Sequence, residues 1–179
     1  MTVAITYGFQ VVQDCAVVPS PVGNWWLEWS EKGLLNSAAT EARPFGQLPT
    51  WLAESWEQFW LGEDFSISLA TGIHFSPLAR RLFEGISTLV PSWGQRISLT
   101  ELSKTLGLAQ AQARQLSSIL KRNPWAPFVP THRVTELKDT LWDKLRNYEL
   151  PAWTTQVGLL TQDLSRKWGH VIQKVFDKK

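Results

Sequence analysis

The 179-residue sequence predicts an α/β N-terminal domain with a small antiparallel sheet, residues 1–72, followed by a mainly α C-terminal domain with a helix-turn-helix and a helical tail, residues 73–179. Three observations predict it. Residues 3–38 hold short β-rich runs separated by turn chemistry. From Phe75 onward apolar residues recur at helical spacing. The charge divides at the same point: residues 1–72 carry two basic and eight acidic side chains, a net −6, whereas residues 73–179 carry sixteen basic and eight acidic ones, a net +8.

The elements follow in order. Val3-Ala-Ile-Thr-Tyr7 and Ala16-Val-Val18 are rich in strand formers, and Pro19-Ser-Pro-Val-Gly-Asn24 reads as a turn. Trp25-Trp-Leu-Glu-Trp29 is the next strand, and Glu31-Lys-Gly33 turns it into Leu34-Leu35. Pro49 opens a helix carrying Trp51, Leu52, Trp56 and Trp60, which Gly62-Glu-Asp64 ends. Phe65-Ser-Ile-Ser-Leu69 alternates apolar and polar, the pattern of an edge or hairpin strand. Phe75, Leu78, Leu82, Ile86 and Leu89 form the stripe of a helix from Phe75 to Val90, broken by Pro91-Ser-Trp-Gly94. Ser98-Leu-Thr-Glu101 has capping-box spacing. It starts a short helix with Leu99, Leu102 and Leu106 on one face. Gly107-Leu-Ala turns the chain into a second helix, about 110–122, with Ala113, Leu116, Ile119 and Leu120 inward. Short helix, glycine turn and second helix make a helix-turn-helix pattern. Leu137–Tyr148 and Thr155–Phe176 both read as helices, separated by Pro151.

Composition excludes several classes. The chain is 44% hydrophobic and 19% charged, ordinary for a domain with a real core. No apolar run reaches the roughly 20 residues that span a bilayer, and the N-terminus lacks the pattern of a secretory signal. A single cysteine, Cys15, excludes an internal disulfide and reads as a structural thiol. No Cys/His group has zinc spacing, so neither metal nor cofactor is expected. A monomeric, cytoplasmic protein with no membrane association is the expectation. The 11 tryptophans are expected in the core, with stacking on bases as the alternative. The basic C-terminal half points to a polyanion, nucleic acid first, against the alternative of a solvated surface.

The segment Asn123-Pro-Trp-Ala-Pro-Phe-Val-Pro130-Thr131-His132-Arg133-Val134 carries the most specific pattern. It resembles the active-site segment of the O6-alkylguanine-DNA alkyltransferases, where Asn-Pro and a short apolar run precede Pro-Cys-His-Arg-Val. Arg114 stands nine residues before Asn123, and Thr131 eight after it, in the order and spacing of that family. Softer similarities run from about Val18 to Asp163. The resemblance implies a C-terminal domain of winged-helix type and double-stranded DNA as partner, with O6-alkylguanine lesions and other repair proteins as further candidates.

Residue by residue, the resemblance implies the following. Arg114 falls at the arginine finger that fills the place of the flipped-out base, a task suited to a long planar cation. Gln115, Ser117 and Ser118 follow it where the family has small residues that sit in the minor groove. Leu99 stands where the family has a tyrosine beside the target phosphate. Arg114, Gln115, Ser117, Ser118, Arg133 and Leu99 are thus the positions expected at DNA. Asn123 orders the turn beside the site. His132 relays a proton with the help of a glutamate, at whose place Asp163 stands. Thr131 takes the place of the reactive cysteine. Alkyl transfer needs a thiolate attacking an sp³ carbon, and an aliphatic hydroxyl ionises far too weakly. The site is therefore expected to be degenerate: Thr131, His132, Asn123 and Asp163 without catalysis. The run Thr135-Glu-Leu-Lys-Asp-Thr-Leu-Trp142 also lacks the family's Gly/Ser-rich loop over the flipped base. Three other readings stay open: a general DNA-binding or regulatory protein, a cryptic enzyme using Thr131 or Cys15, and an interaction module built on exposed tryptophans.

Overall fold

The structure, a computed structural model, describes residues 1–149. Five strands form one sheet: β1 (Thr2–Phe9), β2 (Asp14–Ser20), β3 (Gly23–Ser30), β4 (Gly33–Thr40) and β5 (Ser66–Thr71). The helices are α1 (Thr50–Leu61), α2 (Pro77–Leu89), α3 (Leu99–Thr105), α4 (Gln110–Ala113), α5 (Leu116–Leu120) and α6 (Thr140–Glu149), with one 3-10 turn at Thr131–Arg133.

Strands β2, β3 and β4 make the expected antiparallel meander. Each of its two tight turns is closed by a serine. Ser20 Oγ donates to Gly23 O at 2.6 Å and accepts from Val22 N at 3.2 Å. Ser30 Oγ does the same with Gly33 O at 3.4 Å and Lys32 N at 3.1 Å. Gly33 has a φ of +140°, and a Cβ there would lie 2.3 Å from the Ser68 carbonyl oxygen, so glycine is required.

The sheet is mixed, not antiparallel, with order β1-β5-β4-β3-β2. The helical crossover α1 returns the chain so that β5 runs parallel to both β4 and β1. Phe65–Leu69 therefore belongs to an interior strand and not to an edge or hairpin strand. Its alternation has another origin. Ile67 and Leu69 are buried while Ser66 and Ser68 are exposed, because the apolar packing lies on one side of this strand.

The core is aromatic. Trp25, wholly buried, meets Trp56 and Trp60 of α1 at ring-centroid distances of 6.0 and 6.5 Å. Phe59 contacts Phe65 and Phe128 at 5.9 and 5.7 Å in edge-on geometry, the arrangement ring quadrupoles favour. Of the nine tryptophans among the described residues, six are buried and three half-buried, so there they serve packing. One hydrophobic cluster runs from the sheet through α2 and Trp125–Phe128 to Leu145 of α6.

Helix α2 begins where its chemistry dictates: Ser76 accepts the Ala79 N–H at 3.2 Å and Pro77 takes the first turn. Ser98 caps α3 by accepting the Glu101 N–H at 3.0 Å. The single helix expected over 110–122 is two short ones, interrupted at Arg114–Gln115. Only the second anchors in the core, through Leu116 and Leu120, while α4 buries none of its residues. The helix expected from Leu137 starts later, at Thr140, because Leu137 is already buried in the preceding turn and Asp139 Oδ1 accepts the Leu141 N–H at 2.9 Å. The expected helix Thr155–Phe176 lies outside the described residues.

Candidate functional site

Asn123 organises the site segment. Its Oδ1 accepts the Trp125 N–H at 2.9 Å, while its Nδ2 donates to Val129 O at 2.7 Å and to Thr131 Oγ1 at 3.1 Å. One amide thus closes the loop and fixes the Thr131 hydroxyl. The loop is tied to the sheet at Ser37 of β4, whose N–H donates to Pro124 O at 2.6 Å and whose hydroxyl reaches the carbonyls of Pro124 and Ala126. Trp125 is fully buried and donates its indole N–H to Ala70 O of β5 at 3.0 Å.

The 3-10 turn then drives three polar side chains inward. Thr131, His132 and Arg133 are each at most 1% exposed. Their charge is met by Glu149 at the last described turn of α6, itself 1% exposed. His132 Nε2 lies 2.7 Å from Glu149 Oε1. Arg133 donates to Glu149 through Nε and, at 2.8 Å, Nη2, and through Nη1 to Val90 O at 2.5 Å. Arg96 adds a contact to Glu149 Oε2 at 3.1 Å. Arg146, one turn before Glu149, donates Nη1 to the carbonyls of His132, Val134 and Leu137 at 3.1, 3.1 and 3.0 Å. Helix α6 therefore clamps the site turn by both its backbone and its charge.

The residues expected at DNA separate into two groups. Arg114, Gln115 and Ser118 are exposed and Ser117 half-buried, all at the interruption between α4 and α5 or in the first turns of α5. Leu99 is half-buried and packs on the core. Arg133 is corrected: it is an interior residue whose guanidinium is committed to Glu149 and Val90, so no phosphate reaches it. Asp163 lies outside the described residues. The carboxylate that meets His132 is Glu149, which the sequence reading missed together with Arg96 and Arg146. A signal was present. Trp142, Leu145, Arg146 and Glu149 share one helical face, and an Arg–Glu pair set into an apolar stripe marks charges destined for burial.

Solved proteins share this overall fold. Mycobacterium tuberculosis OGT in complex with DNA matches with a TM-score of 0.62 at 22% identity, over 76% of this chain and 93% of that one. The O6-methylguanine methyltransferase of the same organism matches with 0.63 at 20% identity, over 80% and 96%. The O6-methylguanine-DNA methyltransferase of the hyperthermophilic archaeon Pyrococcus kodakaraensis strain KOD1 matches with 0.54 at 17% identity, over 75% and 97%. The chain has the O6-methylguanine methyltransferase fold. No family model and no curated protein matches it.

Within this fold the electrostatics of the site are set by burial. Desolvation pushes the His132 imidazole below its ordinary 6.5, against the opposing pull of Glu149. Burial alone would raise the Glu149 carboxyl, but His132 and Arg133 overcome it and hold Glu149 well below the usual carboxylate range. The ring is thus neutral near pH 7. Its Nε2–H donates to Glu149, and Nδ1, buried without a partner among the described residues, presents a lone pair. Such an imidazole can accept a proton from a neighbour. A threonine hydroxyl ionises far less readily than a thiol and is a poor nucleophile toward an alkyl carbon. Among the described residues no group of His, Cys, Asp and Glu could hold a metal, and no helix is long and apolar enough to cross a membrane.

Proposed function

We propose that this chain is a non-catalytic, alkyltransferase-like DNA-binding protein. It recognises alkylated guanine in duplex DNA by base flipping and signals to other repair factors. The observation that carries the reading is the occupant of the site turn: Thr131, held by Asn123 beside the hydrogen-bonded His132–Glu149 pair, in a fold shared with O6-methylguanine methyltransferases. The scaffold for presenting a nucleophile is kept and the nucleophile is not. The DNA-facing parts in this reading are α3 to α5, taken as the helix-turn-helix of a winged-helix-like domain beginning near residue 73, with Arg114 as the residue that enters the stack. Support comes from the exposure of Arg114, Gln115 and Ser118 and from the DNA complex of the M. tuberculosis protein.

A second reading, general DNA binding without lesion recognition, is favoured by one observation: the Thr131 side chain is 0% exposed. A titration of paired duplexes, one with O6-methylguanine and one plain, separates the two. Tighter binding to the modified duplex, with no methyl group on the protein, is the expected result. Equal affinity assigns the second reading, and no binding to either overturns both. In both readings affinity falls steeply with salt, as phosphate contacts release counterions.

A further inference from the structure

The two edges of the sheet are treated differently. The β2 edge is closed by Phe45, which exchanges two backbone hydrogen bonds with Val17 at 3.0 and 3.1 Å. The β1 edge has no such cover among the described residues. Thr2 N–H points to Phe65 O of β5 at 2.8 Å, and Gly8 bonds Thr71 Oγ1 through both its N–H and its carbonyl. Backbone groups alternate along a strand, so Val3, Ile5 and Tyr7 turn theirs away from the sheet. Proteins guard such edges with charge, proline or bulges. From Thr2 to Phe9 there is no charged residue and no proline, and the one register shift, between Thr6 and Phe9, leaves Val3 and Ile5 in regular strand. Val3, Ile5 and Tyr7 are only half-buried, unlike Ile67 and Leu69 beside them.

The two ends of this strand are complementary. At its start a groove of about 530 Å³ opens between β1 and α2, lined by Met1, Val3, Ile5 and Pro91 with the Glu84 carboxylate, Ser87 and Thr88 on the α2 side. At its other end Phe9 is 80% exposed, with Val11 at 72% and Ile73 at 62% beside it. A groove at one end and an apolar knob at the other are what an isologous two-fold contact requires, since each copy then offers what its partner lacks.

We propose that β1 pairs antiparallel with β1 of a second copy, in a register centred on Ile5, joining two sheets into one of ten strands. In that register Val3 faces Tyr7 of the second copy, Ala4 faces Thr6, and Phe9 faces Met1 at the mouth of the groove. The aromatic–β-branched pair is among those that stabilise cross-strand neighbours, and the uncharged strand meets itself without repulsion. A seam of about 26 Å, at roughly 3.3 Å per residue, with two knobs places the contact near the lower end of specific interfaces, about 1,200 Å² in total. The association is therefore expected in the micromolar range. It replaces the monomer expected from the sequence and does not depend on the proposed function.

The test is sedimentation of the full chain from about 1 to 200 μM, a range that brackets a micromolar equilibrium, with hydrogen exchange at Val3, Ile5 and Tyr7. The expected result is a monomer–dimer equilibrium and amide protection that rises with it. Ala4→Lys with Thr6→Lys changes two exposed side chains, leaves the fold alone and sets like charges opposite each other across the seam. It should weaken association at least tenfold, as should Phe9→Glu. A monomer at all concentrations overturns the proposal, as does a dimer indifferent to these variants. Protection that is independent of concentration and lost on removing residues 150–179 also overturns it, and assigns the edge to the chain's own C-terminal segment.

Discussion

The site turn and the interrupted helix lie less than twenty residues apart in sequence and obey opposite rules. Thr131, His132 and Arg133 are buried and held by Asn123, Glu149, Val90 and neighbouring arginines, with His132 Nδ1 left without a partner among the described residues. Arg114 and Gln115 stand exposed where α4 gives way to α5. The difference separates what the two regions are for. A change in the turn is felt by the whole fold, since a buried charge that loses its partner carries its full desolvation cost. A change at Arg114 removes nothing the folded chain needs. Stability measurements therefore read the first region and binding measurements the second.

The largest expected effect is Glu149→Ala. It strands the Arg133 guanidinium and the His132 imidazole in the interior and should cost about 3–5 kcal/mol, the range for breaking a buried ion pair. Urea unfolding measures it, and a loss below about 1 kcal/mol would show that α6 does not clamp the turn. Acid should attack the same network. His132 titrates below its ordinary 6.5 because it is buried. Glu149, which burial alone would raise, is carried below its ordinary 4.5 by His132 and Arg133. Both folded-state values lie under the unfolded ones, so the unfolded chain binds more protons as pH falls. Stability should be full above about pH 6.5, decline as pH drops below it through His132, and decline again below about 4.5 through Glu149. His132→Gln should flatten the first decline. A wild-type profile level from pH 7 to 5 would remove His132 from this account.

At the exposed region, Arg114→Ala should weaken DNA binding about tenfold or more, roughly 1.4 kcal/mol, while the unfolding midpoint stays within about 0.5 kcal/mol of wild type. A titration and a melt on the same sample check both halves. Unchanged affinity would place the DNA surface elsewhere. The smallest effect belongs to Thr131→Val, which keeps the shape and removes the acceptor of the Asn123 amide, at about 1 kcal/mol. A much larger loss would mean that the hydroxyl has further buried partners.

Much of the fold was legible because the patterns reflect local chemistry. The meander is written in strand formers between turn residues, α2 in its apolar stripe behind Ser76-Pro77, and the site loop in Asn123 and the spacing to Thr131. Two features were not legible for one physical reason: they depend on what a segment packs against. The alternation of Ser66–Leu69 records one-sided burial and is the same for an edge strand and for the interior strand found here. The break at Arg114–Gln115 reflects core anchoring of Leu116 and Leu120 that α4 lacks.

The sequence by itself determined the order of elements, the aromatic core and the absence of a thiol at position 131, since each is a property of the residues present. Only the tertiary structure decided that β5 lies between β1 and β4, that Arg133 turns inward, and that Glu149 is the carboxylate beside His132. Those depend on long-range packing. The 3-10 turn buries His132 and Arg133 sixteen or seventeen residues from Glu149, and burial in a low-dielectric interior makes that carboxylate obligatory for both.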